Sequence, residues 1–215
     1  MGPVMVGPSS SHTAGAARIG LMGRKLLGSQ PVRADIRLHG SFAATGAGHG
    51  TDRAIVAGLL GMTPDDPDIP RSLQLAKEAG MEVSIGPVEL RAAHPNTALL
   101  ELENAQGRIL TVSASSLGGG RIRVNAIDGL EAAFSGDLPT LIIRNEDRPG
   151  IVSEVSYVLS RHNANIATMQ LYRDRRGGLA VMVIECDQPL QNALRQELIG
   201  LDGVVRCTYL DLGEA

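Results

Sequence analysis

The spacing of apolar residues changes period several times along the chain. Ala16, Ile19, Gly23, Leu26 and Leu27 share one helical face, which predicts a helix ended by Gly28-Ser29-Gln30-Pro31. Gly20 and Gly23 each cost such a helix about 1 kcal/mol relative to Ala, so they predict close packing against another backbone. Residues 32–39 then alternate, with Ile36 and Leu38 to one side and Arg37 and His39 to the other, as in a half-exposed strand. An Ala/Leu helix is predicted over 54–60, an acidic, proline-rich loop over 62–70, and a short helix over 71–79 stopped by Gly80. Strands follow at 83–90, 97–102, 108–113 and 121–127, the middle two forming a hairpin across Asn104-Ala105-Gln106-Gly107.

A second pattern begins after the linker-like run Phe134-Ser135-Gly136-Asp137-Leu138-Pro139. A strand at 140–144 leads through residues 145–150 into a helix with Pro149 in its first turn and apolar face Ile151, Val152, Val155, Val158 and Leu159. Asn163 is the left-handed residue expected at the helix end. Residues 166–172 and 179–185 form a hairpin, Leu190, Leu194, Leu198 and Leu201 a second helical stripe, and Val205, Cys207 and Tyr209 alternate in a last strand. That order is ferredoxin-like βαββαβ, an antiparallel sheet backed by two helices. The chain therefore reads as two domains of α/β (α+β) class, a mixed α/β domain over 1–138 and a ferredoxin-like one over 139–215.

Composition narrows the possible partners. Hydrophobic residues make up 43% of the 215 and aromatics 2%, so the cores must be aliphatic. With 20 basic against 23 acidic residues and few rings for stacking, the chain is a poor nucleic-acid binder. No apolar run reaches the ~18–20 residues needed to span a membrane and no signal peptide is visible, which predicts a cytoplasmic protein. Cys186 and Cys207 are the only cysteines, too few for a disulfide framework or a metal motif, and both fall at core positions of predicted strands.

The chemistry lies in polar, glycine-rich stretches of the front domain. In Gly7-Pro8-Ser9-Ser10-Ser11-His12-Thr13-Ala14-Gly15, four hydroxyls and an imidazole precede a helix start, where unpaired N–H groups favour a carboxylate or other small anion. Ser11 or Thr13 alone would suffice as a helix cap; four hydroxyls and a histidine exceed that task. In residues 40–53, four glycines surround His49, with Thr51 and Asp52 at the next helix start. Neither a complete dinucleotide fingerprint nor a phosphate-loop lysine is present, so these glycines let backbone approach a small ligand, or simply form a flexible connection with an incidental histidine. A third loop is expected at Ser115-Ser116-Leu117-Gly118-Gly119-Gly120; His94, before Pro95, reads on its own as a turn residue. Three such loops and three loop histidines on one scaffold make a candidate site.

These stretches carry a resemblance. Residues 7–13, 46–52, His94-Pro95-Asn96-Thr97 and 116–120 resemble, in order, the β chain of the two-chain, iron–sulfur-dependent bacterial L-serine dehydratases. The back half resembles an ACT domain through residues 145–150, Asn165-Ile166-Ala167 and Val181-Met182-Val183-Ile184-Glu185. Members of the first family carry several residues ahead of the stretch matching Gly2-Pro3-Val4-Met5, so the resemblance also implies a trimmed or misassigned start. The family converts L-serine to pyruvate and ammonia, with a 4Fe-4S cluster held by three cysteines of the α chain and none of the metal ligands on the β chain. Carried over residue by residue, it implies His12 and His49 as the acid/base pair. Ser9, Ser10, Ser11, Thr13, Thr51, Asp52, His94, Asn96 and Ser116 become substrate-binding groups, and Asn145, Asp147, Pro149, Gly150 and Asn165 an amino-acid site of the ACT domain. The implied partners are the cluster-bearing α subunit, L-serine and, through the ACT domain, a second copy of the chain. The front domain also resembles the allosteric substrate-binding domains of some phosphoglycerate dehydrogenases, under which reading the same loops only sense a ligand.

Overall fold

A computed structural model describes residues 11–44 and 50–211. Ser9, Ser10 and His49 lie outside the described residues, as does the side chain of Ser11. The chain divides into two compact units, residues 1–129 and 130–215.

In the first unit a π-helical turn, Ser11–Gly15, runs into α1 (Ala16–Leu27), which Gly28 ends in the left-handed conformation with its N–H on the Arg24 carbonyl at 3.0 Å. β1 (Pro31–Leu38), α2 (Thr51–Leu60), α3 (Ser72–Glu78), β2 (Glu82–Pro87), β3 (Thr97–Asn104), β4 (Ile109–Gly118) and β5 (Arg121–Ile127) follow. The strands lie in the order β2-β1-β3-β4-β5. β2 is parallel to β1, across the crossover made by α2 and α3, and the other pairs are antiparallel. Ile36, Leu38, Leu100, Leu102, Leu110, Val112, Ile122 and Val124 are buried, as are Ile19, Met22, Leu26 and Leu27 of α1, which packs on β3 and β4. The core is aliphatic, as the shortage of rings requires.

The expected close packing of α1 has a partner in α2. A Cβ built on Gly20 would stand 2.0 Å from the Ile55 carbonyl oxygen, and one on Gly58 would stand 2.0 Å from that of Ala17. The two helices thus meet backbone to backbone at a pair of glycines. Gly23 faces side chains instead, those of Leu100 and Leu102.

One expectation for this unit is corrected. Ser115, Ser116, Leu117 and Gly118 are not loop residues but the last residues of β4. Cross-strand pairing to β3 and β5 carries the strand to Gly118, and the reversal is left to Gly119 and Gly120, whose φ values of 61° and 76° a residue with a Cβ rarely adopts. The second helix begins at Thr51, within the helix start expected around Thr51 and Asp52, and Gly50 supplies its left-handed entry (φ 72°).

The second unit holds β6 (Leu130–Phe134), whose last residue Phe134 falls in the run expected as a linker, then β7 (Thr140–Glu146), α4 (Ile151–Arg161), β8 (Ile166–Arg173), β9 (Leu179–Cys186), α5 (Asn192–Ile199) and β10 (Val204–Leu210). The four strands from β7 to β10 form an antiparallel sheet in the order β10-β7-β9-β8, the ferredoxin-like arrangement that the sequence predicts. Its core gathers Leu141, Ile143, Val155, Leu159, Met182, Ile184, Leu194 and Leu198 around both cysteines. Burial pushes the Cys207 thiol up to about 11, and Cys186 also upward, so neither is poised as a thiolate.

Three details of this unit differ from the expected pattern. Val205 is 58% exposed while Val204 packs on the core, because the ladder skips Val205 between Val204↔Asn145 and Arg206↔Arg144; the bulge shifts the alternation by one residue. Val152, assigned to the apolar face of α4, is exposed. Pro149 precedes the helix rather than sitting in its first turn, since Gly150 (φ 91°) makes the entry. Asn163 does adopt the left-handed conformation, at φ 53°.

Candidate functional site

In the first unit, separated stretches of sequence come together around the turn before α1. Gly15 lies so close to β4 that a Cβ there would stand 2.0 Å from Ser116 Oγ, which seats the turn directly on Ser116. Ser116 is fully buried, and its backbone N–H donates to the Asn96 carbonyl at 2.9 Å. Residues 94–97 in turn meet the end of β1. His39 N–H donates to the Thr97 carbonyl at 2.9 Å, and Gly40 (φ 56°) presses on Pro95, where a Cβ would come within 2.7 Å of the carbonyl oxygen.

His12 is half-buried at this junction. Its Nε2 stands 3.3 Å from Ser41 Oγ, and its ring meets Phe42 edge-on with centroids 5.5 Å apart. Ser41 and Phe42 thus fix both the imidazole's plane and one of its nitrogens, the arrangement a general acid or base requires. Neither residue stood out in the sequence. The available signal was their place directly before the run of glycines around His49. Arg18, one turn into α1, donates to the Gly120 carbonyl at 3.2 Å, closing the β4–β5 reversal against the same corner.

Among the described residues, two buried polar atoms here lack partners. Asn96 Oδ1 and Thr51 Oγ1 are out of contact with water and accept or donate no hydrogen bond. Thr51 is fully buried at the first position of α2, a helix that packs on the Ser11–Gly15 turn. An unpaired buried polar group costs about 1–3 kcal/mol, so both atoms mark places where an added donor or acceptor would be stabilising. Thr13 is also buried, whereas Asp52 is half-exposed with its Oδ1 accepting from the Arg53 N–H at 2.8 Å, a local contact of the helix start. His94 is exposed, and its Nδ1 accepts from the Asn96 N–H at 3.1 Å. In the neutral ring this leaves the proton on Nε2. The fold thus gathers His12, Thr13, Asn96 and Ser116, with the buried start of α2 against them.

In the second unit, residues 145–150 face the β8–β9 hairpin across a cleft of ≈ 470 Å³ lined by Glu146, Asp147, Arg148, Asp174 and Arg175. Asp147 Oδ2 accepts from the Gly177 N–H at 2.9 Å and from Arg173 at 3.0 Å, and these donors hold its carboxyl below the usual range. Arg148 grips both carboxylate oxygens of Glu154 at 3.0 and 2.9 Å and the Asp202 carbonyl at 2.7 Å, tying the turn to α4. Asn145 is fully buried, with Oδ1 unpartnered. Asn165 stands apart from this group. It precedes Ile166, which pairs with Cys186, while Asn145 pairs with Ala180 at the other end of β9, so about 20 Å of strand separates them. Its amide binds Asp187 instead.

The described donor groups do not fit a metal cluster. Among the described residues no three His, Cys, Asp or Glu side chains converge, and both thiols are core groups held protonated by burial. Nor is any described helix long and apolar enough to cross a membrane.

The described residues thus form a polar, serine- and histidine-bearing corner on a mixed sheet and, in the second unit, a ferredoxin-like βαββαβ sheet backed by two helices. The family model "Serine dehydratase beta chain" matches residues 2–85 and "ACT domain" matches 139–203. The "Probable L-serine dehydratase, beta chain" of Bacillus subtilis is 38% identical over 98% of this chain and 95% of its own length, and the "L-serine dehydratase, beta chain" of Peptoniphilus asaccharolyticus is 35% identical over 99% and 96%. The chain belongs to the L-serine dehydratase β-chain family. A D-3-phosphoglycerate dehydrogenase of Archaeoglobus fulgidus is 26% identical over 74% of the chain but only 31% of its own length.

Proposed function

We propose that this chain is the β subunit of a two-chain L-serine dehydratase, converting L-serine to pyruvate and ammonia together with a cluster-bearing α subunit. Near-full-length similarity to two β chains supports this over the sensing reading, since the phosphoglycerate dehydrogenase match covers under a third of that protein. The observation that carries the catalytic reading is the half-buried imidazole of His12, oriented by Ser41 and Phe42 beside buried Ser116 and the unpaired Asn96 Oδ1.

In this reading the serine carboxylate takes hydroxyl and N–H donors from Ser9, Ser10, Ser11 and Thr13, from Ser116 and from the start of α2 at Thr51. Asn96 Oδ1, an acceptor without a partner, suits the substrate's ammonium. His12 and His49 share the proton traffic: one takes the α-proton, and the other serves the departing hydroxyl. Loss of water leaves aminoacrylate, which tautomerises and hydrolyses to pyruvate and ammonia. A 4Fe-4S cluster held by the α subunit would supply Lewis acidity toward the β-hydroxyl. Asp52 and His94 are further substrate-binding groups in this reading.

Because the two cysteines are buried core residues, the isolated chain purified anaerobically is expected to contain no stoichiometric iron and to release no pyruvate from serine, both appearing on mixing with the α chain. Cluster iron on the isolated chain would overturn the division of labour.

The ACT unit is proposed to bind an amino acid at Asn145, Asp147, Pro149 and Gly150, with Asn165 able to join them only from another copy. Edge strand β8, with Leu171 43% exposed, offers a surface for self-association. Leu171→Lys in the full chain is expected to lower the sedimentation mass, and an unchanged mass counts against this surface.

A further inference from the structure

Behind the site, on the other face of the sheet from Ser116, lies a short chain of buried hydroxyls. Thr97 of β3 and Ser115 of β4 are directly opposed in the ladder and 1% and 2% exposed. Their oxygens are 2.7 Å apart; Thr97 Oγ1 is also 2.6 Å from the His94 carbonyl, and the amide nitrogen of Asn125 is 2.8 Å from Ser115 Oγ. The proton directions follow from counting. Thr97 has one hydroxyl proton, and only a donor can satisfy the His94 carbonyl, so that proton is spent there. Ser115 must therefore donate to Thr97, and Asn125 must donate to Ser115.

Asn125 reaches this position because of a local irregularity. The β4–β5 ladder passes from Ser113↔Ala126 to Ala114↔Val124, leaving Asn125 as the extra residue of a bulge. Bulges of this kind re-aim one side chain at the expense of a ladder bond. The inward alternation of Ile122 and Val124 is accordingly out of step with Ile127, also buried. Successive strand residues face opposite sides, so Ser115 points away from the face on which Ser116 meets the Ser11–Gly15 turn. These hydroxyls cannot touch a substrate on that face.

We propose that Asn125, Ser115 and Thr97 are positioning residues: their one-way chain of hydrogen bonds anchors the turn of residues 94–97 at the His94 carbonyl and so aims Asn96 Oδ1 at the substrate. This rests on the substrate-binding role given above to Asn96. The turn has a second anchor from the same strand, the Ser116 N–H on the Asn96 carbonyl, so β4 fixes it through consecutive residues, one by its side chain and one by its backbone. Loosening one anchor frees Asn96 to swing while leaving Ser116 and His12 in place.

The test is steady-state kinetics of the reconstituted two-chain enzyme with L-serine. Thr97→Val keeps shape but gives the His94 carbonyl no proton and Ser115 no acceptor, and is expected to raise KM about tenfold, the worth of one hydrogen bond to a charged group, with kcat changed far less. Thr97→Ser, which keeps the hydroxyl, should restore KM to near the wild-type value. Asn125→Ala, at a half-buried bulge position, should raise KM in the same sense and supplies the measurement if Thr97→Val does not assemble. A purely structural role would lower thermal stability and leave KM alone. Wild-type KM in both Thr97→Val and Asn125→Ala, on an active wild-type background, overturns the proposal; a wild-type complex inert toward serine overturns the functional reading and this proposal with it.

Discussion

His12→Ala in the reconstituted enzyme is expected to lower serine turnover by about two to four powers of ten, the usual worth of a positioned acid or base. The imidazole is half-buried, held edge-on by Phe42 and at 3.3 Å by the Ser41 hydroxyl, so alanine removes the proton-transfer group and a ring packed on Phe42. His49→Ala is expected to lose turnover on the same scale if the pair divides the two proton transfers. The decisive comparison is kcat against KM. If both variants keep wild-type kcat and only the apparent affinity falls, these histidines bind rather than react, and the corner is a sensing site.

The largest effect on stability is expected at the glycine contact of α1 and α2. Gly58→Val places a branched side chain where even a Cβ would lie 2.0 Å from the Ala17 carbonyl oxygen, 2.5 Å from the Leu21 nitrogen and 2.9 Å from the Gly20 Cα. All three are backbone atoms of one helix, so no side chain can turn aside and the helices must separate. Overpacking of this kind costs about 3 kcal/mol, at the upper end of the usual range, which corresponds to a fall of about 10 °C in melting temperature. Since α2 begins at Thr51 and packs on the Ser11–Gly15 turn, activity should fall with it. A melting temperature within about 2 °C of wild type would mean that the contact is looser than described.

The order of elements in the ferredoxin-like unit was legible because each carries a local signal. Leu194 and Leu198 mark a helix by period, Asn163 ends another by its tolerance of positive φ, and turn residues separate alternating strands. The same local reasoning placed both cysteines in the core. It failed where register rather than composition decides. Val205 alternates correctly in the sequence, yet the bulge beside it turns it to solvent and puts Val204 inside. Ser115 and Ser116 look like loop residues because they are polar and followed by three glycines. Cross-strand pairing makes them strand residues, and the paired strand can bury hydroxyls because neighbouring strands supply their partners.

What the sequence determined by itself was therefore the ferredoxin-like order of elements in the second unit, the aliphatic character of the cores and the place of His12 and Thr13 just ahead of α1. Helical and strand periods, turn chemistry and hydroxyl-rich helix starts are properties of neighbouring residues, and they survive in one dimension. Which of those residues stand together was decided only by the tertiary structure. Ser41 and Phe42 acquire their role from an imidazole 29 and 30 positions earlier, and Gly15 from a serine 101 positions later. Asn125 and Thr97 meet through Ser115 only because three strands align and one of them bulges. Contacts at such separations are fixed by sheet register and helix packing, which depend on the whole core at once and leave no mark on any short stretch of chain.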